Sequence, residues 1–177
     1  YDLEHVFDED MSQFDLSRVL TGSEGTLAFI TEAKLNITPI AKFKTLLTVK
    51  YDSFDSALRN SPFLVAANAT SVETVDSKVL NLAKQDVVWD SVSELIQDVP
   101  NLVMNGLNIV EFNDEDASSQ EQKVSSLCVR LDQLIAEGNA GVIGYQLTTD
   151  LAAISRIYGM RKKAVGLLGK ANSTKKP

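Results

Sequence analysis

Phe43-Lys44-Thr45-Leu46-Leu47-Thr48-Val49-Lys50-Tyr51 reads as the opening strand of a folded unit. It is entered through Pro39-Ile40-Ala41-Lys42, a hinge whose proline ends the pattern before it. A domain boundary is placed there, giving residues 1–42 and 43–177. Working outward along the chain, a helix starts near Ser53 or Asp55, with Pro62 expected to break or shift it. Residues 70–75 form a short β-branched strand. Residues 76–84 and 92–96 have helix-compatible spacing, and residues 107–112 read as a strand entering the acidic loop Asn113-Asp114-Glu115-Asp116.

The next helix opens on a capping box of Ser118 and Glu121 and carries Val124, Leu127, Cys128, Leu131, Leu134 and Ile135 as one apolar stripe. Gly138 stops it. Residues 141–147 make a fourth strand, and Asp150 caps a final helix with the stripe Leu151, Ile154, Tyr158, Val165 and Leu168. The order from Phe43 is βαββαβ with helices inserted before the third strand. It specifies an α+β, ferredoxin-like fold, an antiparallel sheet with helices on one face.

Ahead of the hinge lies an acidic opening, Asp8-Glu9-Asp10, and then a short helix over residues 14–20. Gly22-Ser23-Glu24-Gly25 follows as a turn tolerant of unusual backbone angles. Leu27, Phe29, Thr31, Ala33, Leu35 and Ile37 then alternate with Glu32, Lys34, Asn36 and Thr38, the two-residue period of half-buried β structure. Residues 172–177 form a polar, basic tail with no helix or strand signal. With neither an initiator Met nor a signal peptide at the start, both ends read as cut from a longer chain.

Hydrophobic residues are 44% and charged residues 23% of the 177, an ordinary globular composition. The net charge of −7, from 24 acidic and 17 basic residues, argues against nucleic acid or an anionic membrane as partner. No apolar run reaches the roughly 20 residues that span a bilayer. The one cysteine, Cys128, cannot form an internal disulfide, and a cytoplasmic setting is expected. His5, the only histidine, has no metal-ligand pattern around it and reads as a surface residue. Cys128 sits on an apolar helix stripe and reads as packing. Lys162 and Lys163 lie on a solvated face and receive no role.

Two features could carry chemistry. In the turn at residues 22–25 the two glycines let backbone approach a flat or phosphorylated ligand, although GxGxxG and the P-loop lysine are absent. Arg161 falls on the stripe of the last helix, where a guanidinium needs an anion: a ligand carboxylate, an internal acidic residue, or water reached by snorkelling.

The string Leu20-Thr-Gly-Ser-Glu-Gly-Thr-Leu-Ala-Phe-Ile-Thr31, continued by Glu-Ala-Lys-Leu, resembles the end of the FAD-binding domain in vanillyl-alcohol-oxidase-type flavoenzymes. Tyr1-Asp2-Leu3 resembles the Gly-Tyr-Asp-Leu segment that precedes this turn in the family. Gly22, Ser23, Glu24, Gly25, Thr26, Ala28, Phe29 and Ile30 are by position the implied flavin-binding residues; Ala28 stands where the family usually has Gly. Residues 157–168 resemble the place in D-lactate and D-2-hydroxyglutarate dehydrogenase-like enzymes where an arginine meets the substrate carboxylate, which assigns substrate binding to Arg161. The closest likeness is to large bacterial FAD-linked dehydrogenases that continue into an iron-sulfur segment.

The resemblance implies an FAD-dependent oxidoreductase of a D-2-hydroxy acid, with hydride passing to flavin. Residues 1–42 would be the C-terminal strip of its FAD-binding domain and residues 43–177 an incomplete substrate or cap domain. Its pyrophosphate-binding loops lie upstream and the histidine-rich site that supplies the base lies downstream, so no catalytic residue is assigned within the chain and the fragment alone is expected to be inactive. Any iron-sulfur cluster belongs elsewhere in the parent. The expected partners are the small 2-hydroxy acid and the rest of the parent chain. The alternative is a non-enzymatic ferredoxin-like module that binds a small ligand or forms a homodimer through its sheet.

Overall fold

A computed structural model of the chain describes residues 2–138 and 140–173, with side chains to residue 169. It divides into two compact units, Tyr1–Pro39 and Ile40–Pro177.

In the first unit, Asp8 accepts hydrogen bonds from the backbone of Ser12 at 2.8 Å and Gln13 at 3.0 Å, which closes a loop. The loop brings the rings of Phe7 and Phe14 to 5.2 Å between centroids. Asp15 then caps the helix α1 (Leu16–Leu20), accepting from the Ser17 backbone N–H. The alternating stretch at 27–37 departs from expectation, because none of its residues lies in a strand. A strand needs a neighbour to take its N–H and C=O groups, and among the described residues none pairs with this stretch. Its apolar side chains are left in solvent, Phe29 at 93% and Ile37 at 91% exposure.

The second unit is built on β1 (Phe43–Tyr51), α2 (Phe54–Ala66), β2 (Ser71–Asp76), α3 (Ser77–Lys84), a short 3₁₀ turn (Val87–Ser91), β3 (Gly106–Asp114), α4 (Ala117–Glu137), β4 (Val142–Thr148) and α5 (Leu151–Ser173). The four strands form an antiparallel sheet in the order β2-β3-β1-β4, the ferredoxin-like arrangement expected. β1 is central. It pairs with β3 from Phe43 opposite Asp114 to Tyr51 opposite Gly106, and with β4 from Leu46 opposite Thr148.

Alternation along β1 divides the interior in two. Leu47, Val49 and Tyr51 pack with Val110 and Phe112 beneath Ala57 and Leu64 of α2 and Val124, Leu127 and Leu131 of α4. These two crossover helices share one face as expected. The opposite face is covered as well: Leu46, Leu107 and Ile109 pack against Leu80 of α3, Val92, Ile96, and Ile154, Ile157 and Met160 of α5. The inserted helix and the last helix thus close a second core.

Local chemistry explains most element ends and several differences. Ser53 caps α2 by accepting from the Ser56 N–H at 3.1 Å. Pro62 does not break that helix, which runs on to Ala66. The proline is exposed, and so is Leu58, whose carbonyl loses its i+4 donor and can take one from water. Asp116, rather than Ser118, caps α4, accepting from the Ser119 N–H at 2.7 Å; the helix therefore starts one residue before the anticipated box. Gly138, at φ 67°, stops it as expected. Asp150 accepts from the Ala152 N–H at 2.9 Å at the head of α5. Residues 92–96 form irregular turns instead of a helix. Gln146 fastens them to the sheet, its Oε1 accepting from the Gln97 N–H at 2.7 Å and from Lys50 Nζ at 2.6 Å.

The stripe of α5 is rotated from the expected one. Ala153, Ile154, Ile157, Met160 and Ala164 are buried, while Leu151 and Val165 are exposed. α5 also runs through Asn172 to Ser173, into the tail expected to lack regular structure. Residues 174–177, and Tyr1 at the other end, lie outside the described residues.

The turn from β3 into α4 is held by Asp114. Lys123 Nζ at 2.8 Å, Ser119 Oγ at 2.7 Å and the Asp116 N–H at 3.1 Å all donate to its carboxylate and hold its pKa well below the ordinary 3.8. A depressed folded-state pKa adds stability above the unfolded value, and that stability is lost as pH falls through the folded value. Asp114→Asn is therefore expected to melt below the parent chain at neutral pH, with the gap closing as pH drops below about 4 in a thermal denaturation series. A gap that stays constant across that range would count against this role.

Candidate functional site

The turn after α1 takes its shape from hydrogen bonds that overrun the helix end. The Thr21 N–H donates to the Ser17 carbonyl at 2.8 Å, and the Ser23 N–H to that of Leu20 at 3.1 Å. The Ser23 carbonyl in turn accepts from the Thr26 N–H at 2.9 Å and from Thr26 Oγ1 at 2.6 Å. Three of four consecutive residues are left-handed, Gly22 at φ 81°, Glu24 at 50° and Gly25 at 79°. Glycine meets that requirement without strain; Glu24 does not.

Ser23 is buried, whereas Gly22, Glu24, Gly25, Thr26, Ala28, Phe29 and Ile30 are exposed. A β-carbon built on Gly22 or Gly25 meets nothing within 4 Å. This open backbone is followed by the uncovered apolar side chains of Phe29 and Ile30.

The second candidate lies in the other unit, on the sheet face crossed by α5. Glu73 on β2 and Glu111 on β3 both point to this face, and each is met by α5. Tyr158 donates its hydroxyl to Glu111 Oε2 at 2.5 Å, with Lys44 Nζ 3.9 Å from Glu111 Oε1. Burial first, and then the Glu111 carboxylate, raise the Tyr158 pKa well above the usual tyrosine value, so the phenol stays a proton donor across the physiological range.

One turn on, Arg161 forms an ion pair with Glu73 through Nε. Of the three partners open to this arginine, the structure supplies the internal acid. The guanidinium side chain remains 43% exposed. It lines a cleft of about 370 Å³ with Phe54, Glu73, Val75, Val79 and Val165.

A larger groove, about 620 Å³, lies by the opposite face among Phe43, Thr45, Gln120, Val124, Cys128 and Leu147. Its walls are mainly apolar, with Lys42 and Lys44 as the cations at its lining. The thiol of Cys128 is pushed up by burial, which suits packing rather than nucleophilic chemistry. His5 is exposed, with Nδ1 2.8 Å from Asp2 Oδ1. Lys163 meets Asp86 at 2.7 Å. Among the described residues no group of three or more His, Cys, Asp or Glu is placed to hold a metal ion, and no helix is long and apolar enough to cross a membrane.

Sequence reasoning did not single out Glu73 or Glu111 as polar partners of α5, and it read Tyr158 only as part of the apolar stripe of that helix. A signal existed, in that each glutamate interrupts a β-branched or apolar strand run at a position whose alternation turns it inward.

Tyr158→Phe, which leaves the Glu111 carboxylate without its hydroxyl donor, is expected to lower stability by about 1–2 kcal/mol. Chemical denaturation of the two chains would measure it, and an unchanged midpoint would show that water replaces the phenol.

Residues 40–177 match the family model described as FAD linked oxidases, C-terminal domain. The whole chain is 64% identical to the D-2-hydroxyglutarate dehydrogenase of Escherichia coli (strain K12), 60% to that of Pantoea ananatis and 57% to that of Haemophilus influenzae. In each case the match covers 100% of this chain and 17% of the relative's length.

Proposed function

The chain belongs to the FAD linked oxidases through their C-terminal domain, and on that premise we propose that it is part of an enzyme that oxidises a D-2-hydroxy acid of the D-2-hydroxyglutarate type. The observation that carries this reading is the 64% identity to a D-2-hydroxyglutarate dehydrogenase along all 177 residues. FAD, when bound, supplies the acceptor of the hydride. Residues 1–42 are assigned to the end of the FAD-binding domain and residues 43–177 to the substrate or cap domain. The turn at Gly22, Ser23, Glu24, Gly25 and Thr26, with Ala28, Phe29 and Ile30 after it, would contact the cofactor. Its left-handed, unobstructed backbone supports that assignment.

Arg161 would bind the substrate carboxylate. Its side chain is 43% exposed and lines a cleft, which supports a role towards a second anion. An iron-sulfur cluster in the parent would take its ligands from outside these residues, because Cys128 is their single cysteine. The same reading places the enzyme in the cytoplasm, in keeping with that cysteine usage.

Arg161→Ala in the full-length enzyme is expected to raise KM for D-2-hydroxyglutarate by about tenfold or more, the loss of a charged hydrogen-bonding pair. Unchanged steady-state kinetics would remove the assignment. Gly25→Trp is expected to lower the FAD content of the purified enzyme, read from its absorbance, because a bulky side chain at this turn would obstruct the ring and is strained at φ 79°. Full flavin content would remove this turn from the cofactor site. The isolated 177 residues are expected to be colourless and inert towards D-lactate; a yellow preparation with stoichiometric FAD would contradict this.

A further inference from the structure

Glu73 meets Arg161 only from the side. The close approach is to Nε, and the arginine side chain remains 43% exposed where it lines the cleft. Glu73 Oε2 is buried and makes no aligned hydrogen bond, so the contact is an ion pair that fixes the position of the guanidinium without enclosing it. A structural arginine pair usually closes fork to fork, with two parallel N–H···O bonds.

The backbone makes this placement firm. β2 is an edge strand whose Glu73 sits opposite Ile109 of β3, and Ile109 is fully buried. On α5, Met160 beside Arg161 is buried in the core, and Tyr158 is tied to Glu111 one turn earlier. Both the acid and the base therefore project from elements whose registers are set by packing, and they meet at the rim of the sheet. The cleft at that rim has Val79 and Val165 as apolar walls.

We infer that Glu73 is a positioning residue for Arg161: it holds Nε so that the two terminal nitrogens face the cleft as a preformed fork for a carboxylate. This rests on reading Arg161 as the substrate-binding arginine. The gain is preorganisation, since an arginine side chain free to rotate would lose conformational entropy each time it bound its ligand. Glu73 and Asp76 both line the cleft beside Arg161, so orientation rather than net charge must set its affinity for an anion.

The test uses the full-length enzyme and steady-state oxidation of D-2-hydroxyglutarate. Glu73→Ala is expected to raise KM by about tenfold with kcat within about twofold. Glu73→Gln, which keeps the size of the side chain but removes the charge of the ion pair, should raise KM in the same direction. In the Glu73→Ala/Arg161→Ala double variant KM should be no higher than in Arg161→Ala alone, because a positioning group has nothing left to position. If Glu73→Ala proves unfolded by circular dichroism, Glu73→Asp, which withdraws the carboxylate by one methylene, takes its place with the same rise expected.

Additive effects in the double variant, or an unchanged KM for Glu73→Ala beside a raised KM for Arg161→Ala, would overturn the inference and leave the arginine assignment standing. An unchanged KM for Arg161→Ala would overturn both.

Discussion

β1 pairs along its whole length with β3 and over most of it with β4, so its edges and its two faces are all committed. Every side chain from Leu46 to Tyr51 is buried, and each must find a complementary layer. Sliding the strand by one residue would place Thr48 and Lys50 under α2 and α4, where Leu47, Val49 and Tyr51 now sit. The resulting loss is one of several fully buried large side chains at about 1.5–3 kcal/mol each, which no surface contact could offset. Lys50 shows how tightly the register is held. It is buried on the polar side of the strand, desolvation lowers its pKa, and its ammonium donates to the Gln146 amide.

From this fixed register the site geometry follows. Because Leu46, Leu107 and Ile109 turn to the α5 face, so do Glu111 and Glu73 at alternate positions of β3 and β2. α5 crosses that face, meeting Glu111 through Tyr158 and Glu73 through Arg161. A helix anchored by apolar contacts alone could rotate slightly about its axis, whereas two polar ties three residues apart leave little freedom.

The parts of this arrangement that could be read from sequence are those governed by local chemistry. β1 begins and ends where its pattern indicates, Gly138 stops α4, Asp150 caps α5, and the two left-handed glycines bracket the turn after α1. What could not be read depends on neighbours distant in the chain. Residues 27–37 alternate correctly for a strand but have no partner strand among the described residues, and periodicity cannot report a missing ladder. Pro62 survives because its helix face is exposed, a tertiary fact. The buried stripe of α5 shifts towards Ala153, Ile157, Met160 and Ala164 because the sheet beneath it carries the inward glutamates, which draw Tyr158 and Arg161 to the flank. The turn at 22–26 was legible as a motif and the arginine as a stripe residue. The acid beside that arginine became visible only when β2 and α5 were brought together.

The uncovered segment Leu27-Ala28-Phe29-Ile30-Thr31 has a further consequence, for handling the protein. Five residues without charge or proline, the strand-favouring Phe29, Ile30 and Thr31 among them, make a template for strands from other molecules. Glu32 and Lys34 follow it as charged gatekeepers that weaken such stacking. This strip is therefore expected to promote association of the chain at high concentration. Truncation at Ile40 would raise solubility while leaving both cores of the second unit whole.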